Sequence, residues 1–286
     1  MRIHVLLAGL PLFVFAITTH PAHGAESYDN CTGFIDSLPA VVSTQGVWCL
    51  RKDLASSIAS SSAITIAANN VTVDCNDFKV GGLGAGIETE ADGIQAVGRH
   101  NVVVRRCNIR GFRRGIRLEG GSGHVVESNR IESSTYAGIS VDADGSVLHG
   151  NIVSDTGGAP GADQATGIEV GGAADVIDNL VSGVVPIDGT AAGDANGIAT
   201  TNMSGSISAN RVRGLAPTGA GIATGIRNED NGPVSLRNND IIGPGGAAGG
   251  PGLSCASGPA VARDNIVLGF DPGISGCTDS GNDLSP

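Results

Sequence analysis

The sequence predicts an all-β protein built from stacked coils of parallel strands, a single solenoid of about eight coils, and two repeating marks predict it. The first mark is a glycine followed by isoleucine or leucine at one equivalent position in each of eight units between residues 93 and 274. The second is a polar residue with apolar residues three positions before it and two positions after it. Units of 21 to 31 residues with short apolar strands and no helical period are typical of such stacks.

The Gly-Ile mark predicts the first strand of each coil. Neighbouring strands lie about 4.8 Å apart, so branched side chains at equivalent positions can stack in one buried row. From each Gly-Ile mark to the next polar mark there are 12 to 14 residues, whereas 8 to 18 residues lead from a polar mark to the next Gly-Ile mark. Insertions are therefore expected at one turn of the coil only. The predicted row consists of Ile94, Ile116, Ile139, Ile168, Ile198 and Ile226.

The polar mark predicts a tight turn with a second stack. Asparagine tolerates left-handed backbone geometry, and its amide can hydrogen-bond to the coils above and below. These asparagines are therefore expected to be structural. The members of the stack are Asn76, Cys107, Asn129, Asn151, Asn179, Asn210, Asn239 and Asn265.

Through the Gly-Ile strand and the Asn turn, residues 62 to 280 resemble the right-handed parallel β-helix proteins of the pectin-lyase-like superfamily. The resemblance implies a right-handed β-helix, and many enzymes of that superfamily bind polysaccharide near the variable turn. The chain lacks the paired aspartates plus Gly-His-Gly of polygalacturonases and the Asp-Pro-His-Asp of mannuronan epimerases. The resemblance therefore indicates the fold without indicating one reaction.

The N-terminal segment and the cysteines predict that the protein is exported. Residues 1–24 have a positive start, a short apolar run and small residues before Ala25, which is typical of a signal peptide. No membrane span follows, so a secreted or periplasmic protein is expected. Residues 25–61 lack the repeat and are predicted to cap the β-helix domain of residues 62–286. Six cysteines fit disulfides, and proximity and register predict the pairs Cys31–Cys49, Cys75–Cys107 and Cys255–Cys277.

Charge points to the outer face of the first strands as the candidate site. The net charge of −11 argues against a nucleic-acid partner. Charged residues concentrate one and three positions after the row isoleucines, and seven arginines lie between residues 99 and 117. This pattern favours a groove for an acidic polysaccharide, although ladders of opposite charge across neighbouring strands would give the same pattern. Candidate substrate-binding residues are Arg113, Arg114, Arg117, Ser140 and Arg227, and candidate ligands for calcium, the one cofactor considered, are Glu119, Asp142 and Glu169.

Two functional hypotheses remain open. In the first, an exported β-helix protein binds an acidic polysaccharide on its first-strand face, with lyase chemistry as the preferred reaction if the protein is an enzyme. In the alternative, a non-catalytic envelope, surface or adhesion protein uses the β-helix as a rigid scaffold. No catalytic residue is assigned, and His124 and His149 are interpreted as surface or turn histidines.

Overall fold

The computed structural model describes residues 28–187, 192–229, 232–246, 249–256 and 259–286, so the predicted signal peptide at 1–24 lies outside the described residues. Each coil has three strands, numbered here in chain order, and strands at the same position in successive coils pair in parallel. Strands β17 and β19 run through both the first and the second position. The described residues contain no helix long and apolar enough to cross a membrane.

The first strands form the face that carries the candidate site. They are Ala40–Val42 (β2), Ser62–Ile66 (β5), Asp92–His100 (β8), Arg114–Ser122 (β11), Ala137–Asp144 (β14), Gln164–Ile177 (β17), Ala192–Ser208 (β19), Ala223–Asn228 (β22), Leu253–Cys255 (β25) and Ile274–Ser275 (β28).

The second and third strands complete the coils. The second strands are Gly33–Phe34 (β1), Gly46–Cys49 (β3), Val71–Asp74 (β6), Val102–Arg105 (β9), Val125–Glu127 (β12), Ser146–His149 (β15), Val234–Arg237 (β23), Val261–Arg263 (β26) and Thr278–Ser280 (β29). The third strands are Leu54–Ala55 (β4), Lys79–Gly81 (β7), Asn108–Arg110 (β10), Arg130–Glu132 (β13), Ile152–Thr156 (β16), Leu180–Val184 (β18), Arg211–Leu215 (β20), Asp240–Ile242 (β24), Ile266–Leu268 (β27) and Asp283–Ser285 (β30). Outside this scheme lie Thr218–Gly219 (β21), which pairs antiparallel with β19, and the 3-10 turn Leu83–Ala85.

The predicted isoleucine row is confirmed. Ile139 lies opposite Ile116 on one side and Ile168 on the other, and all three side chains are fully buried. The glycine of the mark is explained by close packing inside the coil. A Cβ atom on Gly138 would lie 2.7 Å from the carbonyl oxygen of Gly167 and closer still to the side chain of Val153, so only glycine fits there.

The asparagine ladder is also confirmed, with one correction to its geometry. The Nδ2 of Asn129 donates to the Oδ1 of Asn151 at 3.0 Å and to the carbonyl oxygen of Val104 at 2.9 Å. The left-handed residue of the turn is usually the one before the asparagine, such as Ser128 with φ 54° or Asp178 with φ 51°. The asparagine side chain points into the stack, so the preceding residue makes the turn. Asn76, with φ 47°, is the member of the ladder that does adopt the predicted geometry.

The segment predicted as a cap contains parallel strands. Strands β2, β3 and β4 pair in parallel with β5, β6 and β7. The stack of parallel strands therefore begins before residue 62, although no Gly-Ile mark precedes that residue. At the other end, Asn282 adds a rung by accepting hydrogen bonds from the backbone and the side chain of Asn265. The stack therefore extends beyond the repeat at both ends.

The three predicted disulfides are confirmed, because each pair is joined in the structure. The Cα–Cα distances are 5.8 Å for Cys31–Cys49, 4.7 Å for Cys75–Cys107 and 5.0 Å for Cys255–Cys277. The described residues contain no free cysteine. Cys107 stands where neighbouring coils carry the ladder asparagine, so a covalent bond to Cys75 joins two coils at that turn.

Candidate functional site

A groove of about 330 Å³ runs over the outer face of β14, β17, β19 and β22. Its lining is predominantly polar, and three of the side chains are carboxylates. We call this surface the Tyr136 groove; the residues that define it are Tyr136, Ser140, Asp142, Gln164, Glu169, Gly171, Ala199, Arg227 and Glu229.

Small residues in the middle of the floor create the groove. One outward column runs from Ser140 through Glu169 and Ala199 to Arg227, one residue from each successive coil. In the parallel column, Gly171 follows Asp142. Because side chains stand nearly perpendicular to a sheet, the small residues leave a depression between larger polar neighbours.

Tyr136 forms one wall and is held by charged and polar partners. The guanidinium carbons of Arg113 and Arg114 lie 5.3 and 4.9 Å from its ring centroid, within the range of cation–π contacts. Its hydroxyl accepts a hydrogen bond of 3.1 Å from Nε2 of Gln164. The Oε1 of Gln164 in turn accepts a hydrogen bond of 3.2 Å from Arg227, two coils further along. Two successive hydrogen bonds through Gln164 therefore link the ring to the far side of the groove.

Glu169 is the most shielded of the carboxylates that line the groove. Its side chain is 25% exposed, and its Oε2 lies 3.9 Å from Nε of Arg114. Burial raises the pKa of Glu169, although the charge of Arg114, a hydrogen bond with Ser140 and the charge of Arg227 act in the opposite direction. Glu169 therefore holds a proton to higher pH than an exposed glutamate.

The predicted basic patch is neutralised by carboxylates. Arg113 forms an ion pair with Glu90, and Arg117 forms one with Glu119. Arg117 also lies 3.6 Å from the carboxylate of Asp92, whose side chain is 4% exposed. Burial raises the pKa of Asp92, while the charges of the surrounding arginines oppose that rise. These arginines therefore belong to ladders of opposite charge, which the sequence left open as an alternative.

Two further arginines of the cluster lie at the end of the second strand β9 and are bound by a carboxylate there. Arg105 and Arg106 both contact the carboxylate of Asp74, which is 3% exposed on its side chain. Burial raises the pKa of Asp74, but the hydrogen bonds from Arg106 and from the backbone of Asn76, with the two guanidinium charges, outweigh it, so the net pKa is lowered. This ion pair secures the N-terminal coils and is separate from the groove.

The predicted calcium ligands do not converge. Glu119 and Asp142 are register neighbours on β11 and β14, but Glu169 lies in the other outward column, opposite Ser140, and is turned towards Arg114. Across the described ranges, no three residues of the types His, Cys, Asp and Glu are placed to hold a metal ion. The three predicted ligands therefore do not lie around one point in the described structure, and a calcium site stays a prediction.

The structure brings some predicted residues together and separates others. Ser140, Asp142, Glu169 and Arg227 line the Tyr136 groove, and Arg114 reaches it through Glu169. The sequence did not indicate Gln164, because it lies inside a predicted insertion that the structure resolves as the start of β17.

His124 also differs from the sequence interpretation. Its residue surface is 1% exposed, and its Nδ1 accepts a hydrogen bond from the backbone N–H of Val102 at 3.3 Å. It therefore lies in the turn between β11 and β12, as the sequence indicated, but it is buried rather than on the surface.

Comparison with known proteins identifies the repeat region. Residues 55–212 match the family described as the right handed beta helix region. No curated protein matches the sequence of the chain.

Several solved structures are similar to the chain at low identity. A GH87 α-1,3-glucanase from Streptomyces thermodiastaticus is 14% identical, with a TM-score of 0.45 over 86% of this chain and 60% of that chain. The Dettilon tailspike protein is 18% identical, with a TM-score of 0.43 over 88% of this chain and 59% of that chain. The A-module of a mannuronan C-5 epimerase from Azotobacter vinelandii is 12% identical, with a TM-score of 0.28 over 82% of this chain and 80% of that chain. The chain thus spans about 60% of the length of the first two, and at these TM-scores none of the three bears on its activity.

Proposed function

The chain belongs to the right-handed β-helix family, and we propose that it binds a polysaccharide in the Tyr136 groove. The observation that carries the proposal is the row of polar side chains beside a floor of small residues. Ser140, Asp142, Glu169, Arg227 and Glu229 offer donors and acceptors on three of the four coils that the groove crosses, and Gly171 and Ala199 leave room between them for a chain. A sugar chain presents hydroxyl groups at regular intervals, which such a row can bind.

The charges of the groove support binding through hydroxyl groups more directly than binding through sugar carboxylates. The Nε of Arg227 lies 3.2 Å from the carboxylate of Glu229, and Arg114 faces Glu169. Three carboxylates, Asp142, Glu169 and Glu229, line the groove beside one guanidinium. A polyuronate would have to displace these existing partners. An acidic ligand and lyase activity therefore stay predictions, which the substrate panel below tests.

The disulfides support a location outside the reducing cytoplasm. Three cysteine pairs are joined, and such bonds persist in oxidising compartments. We propose that the protein acts after export, in the periplasm or beyond the cell.

The test is a binding panel of neutral and acidic oligosaccharides on wild-type protein and on two leucine variants. Ala199→Leu fills the floor of the groove with an outward side chain. Ser254→Leu is the matched control, because Ser254 follows Arg227 in the same outward column but lies outside the groove. Wild type and Ser254→Leu should retain the same sugar, and Ala199→Leu should lose it.

The panel also separates the hypotheses. Retention of a polyuronate, with ultraviolet absorbance from an unsaturated product, would support the predicted acidic ligand and the lyase. Equal binding by Ala199→Leu and wild type would place the sugar elsewhere. No binding to any sugar would leave the rigid scaffold as the better account.

A further inference from the structure

A second groove, of about 480 Å³, lies on the face made by the second strands, away from the Tyr136 groove. Two arginines stand side by side at this groove, Arg237 on β23 and Arg263 on β26. We call it the Arg237 groove; the residues used below are Ser204, Pro233, Ser235, Arg237, Val261 and Arg263.

The two arginines are direct register partners, which is unusual for this face. In the N-terminal part of the same column charge alternates over three residues: Arg105 lies 2.9 Å from the carboxylate of Asp74 and 4.0 Å from that of Glu127. Arg237 and Arg263 instead place two positive charges at paired positions of neighbouring strands, and such strands lie about 4.8 Å apart. Like charges directly opposite each other are destabilising, so an anion between them would relieve a repulsion that the fold leaves in place.

The hydrogen bonds of the pair leave capacity for such an anion. The Nε of Arg237 donates to Oγ of Ser235 at 2.8 Å, and within the described ranges no carboxylate lies within ion-pair distance of Arg237. The Nε of Arg263 contacts Oδ2 of Asp264 at 3.1 Å, and the Arg263 side chain is 64% exposed. The one nearby carboxylate therefore pairs with Arg263 alone, and the terminal nitrogens of Arg237 are available to a ligand.

We propose that the Arg237 groove binds a tetrahedral oxyanion, a sulfate or phosphate group, between Arg237 and Arg263. Guanidinium groups bind such oxygens through paired N–H donors, and two groups one strand spacing apart can share one anion. The serine hydroxyls of Ser204 and Ser235 add donors at the same groove, while Pro233 and Val261 provide an apolar wall beside it. This inference is independent of the Tyr136 groove, because it uses another face and no residue of that groove.

The test is thermal unfolding with sodium sulfate, sodium phosphate or a heparin oligosaccharide, each compared with sodium chloride at equal ionic strength. Wild type should show a saturable rise in Tm with at least one of these anions beyond the chloride effect. Arg237→Ser and Arg263→Ser should each weaken the apparent affinity by about tenfold. Arg130→Ser is the control, since Arg130 is an exposed arginine paired with Glu132 on a third strand, and it should respond as wild type does.

Comparing the inorganic salts with the heparin oligosaccharide identifies the source of the anion. A response to the inorganic ions indicates a free oxyanion, and a response confined to the heparin oligosaccharide indicates a sugar-borne one; either supports the site if both arginine variants lose it. Equal shifts in chloride, an undiminished response in Arg237→Ser, or no response to any of the three would overturn the proposal.

Discussion

Removing one asparagine from the middle of the ladder should cost a large part of the stability of the protein. Replacing Asn151 with alanine removes four hydrogen bonds. Its Nδ2 donates to the carbonyl oxygen of Val126 at 2.8 Å and to Oδ1 of Asn179 at 2.9 Å. Its Oδ1 accepts from the backbone N–H of Asn129 at 3.1 Å and from the Nδ2 of the same residue at 3.0 Å.

The magnitude follows from the burial of these groups. Each hydrogen bond contributes about 0.5–1.5 kcal/mol net, and partners left buried without a bond push the loss towards the upper end, so about 4–6 kcal/mol is expected. Asn282→Ala is the matched control, because Asn282 occupies the last rung and is only half-buried. Water can replace its bonds, and a loss of about 1–2 kcal/mol is expected.

Urea unfolding measures both variants, with the midpoint falling and the m-value unchanged. Equal losses in Asn151→Ala and Asn282→Ala, or a loss below about 1 kcal/mol for Asn151→Ala, would refute the view that the buried ladder stabilises the stack.

Three further predictions address the core, a buried histidine and a disulfide. Ile168→Asp should prevent folding, because it buries an unpaired charge in the isoleucine row. Glu169→Ala should fold and lose at most about 1 kcal/mol of stability. Circular dichroism compares the two variants, and equal behaviour would contradict the strand register. Burial lowers the pKa of His124, so the folded state binds its proton less readily than the unfolded state, and the stability contribution present above about pH 6.5 should fall as pH drops below that value. Unfolding at pH 7.5 and pH 5 should therefore show a smaller pH effect in His124→Gln than in wild type, and an identical pH effect would count against this assignment. Non-reducing peptide mapping should recover Cys75 bound to Cys107, and free thiols at both would contradict the predicted pairing.

The repeat made most of the fold predictable from the sequence. The glycine of the Gly-Ile mark lies where each coil packs closely against neighbouring atoms. The asparagine of the polar mark lies where each turn buries a side-chain amide. The N-terminal strands β2 to β4 were not predicted because their coil lacks the Gly-Ile mark: Pro39-Ala40 stands at that position instead. The last rung escaped because Asn282 has no apolar residue three positions before it; Asp279 stands there.

The candidate site was predictable only in part. Alternation along a strand placed Ser140, Glu169 and Arg227 on one outer face, and the structure brings them to one groove. The partners of the arginines could not be inferred, because they come from neighbouring coils: Arg114 meets Glu169, which is two coils away. Gln164 could not be recognised either, since spacing alone does not fix where an insertion ends and a strand begins.

The measurement that tests the central claim most directly is hydroxyl-radical footprinting with the oligosaccharide retained by the binding panel. The chain has two tyrosines, Tyr136 in the groove and Tyr28 near the start of the described residues, so one protein contains both probe and control. Saturating sugar should protect Tyr136 from oxidation severalfold and leave Tyr28 unchanged. Unaltered oxidation of Tyr136 in the presence of bound sugar would contradict the assignment of the Tyr136 groove as the polysaccharide site.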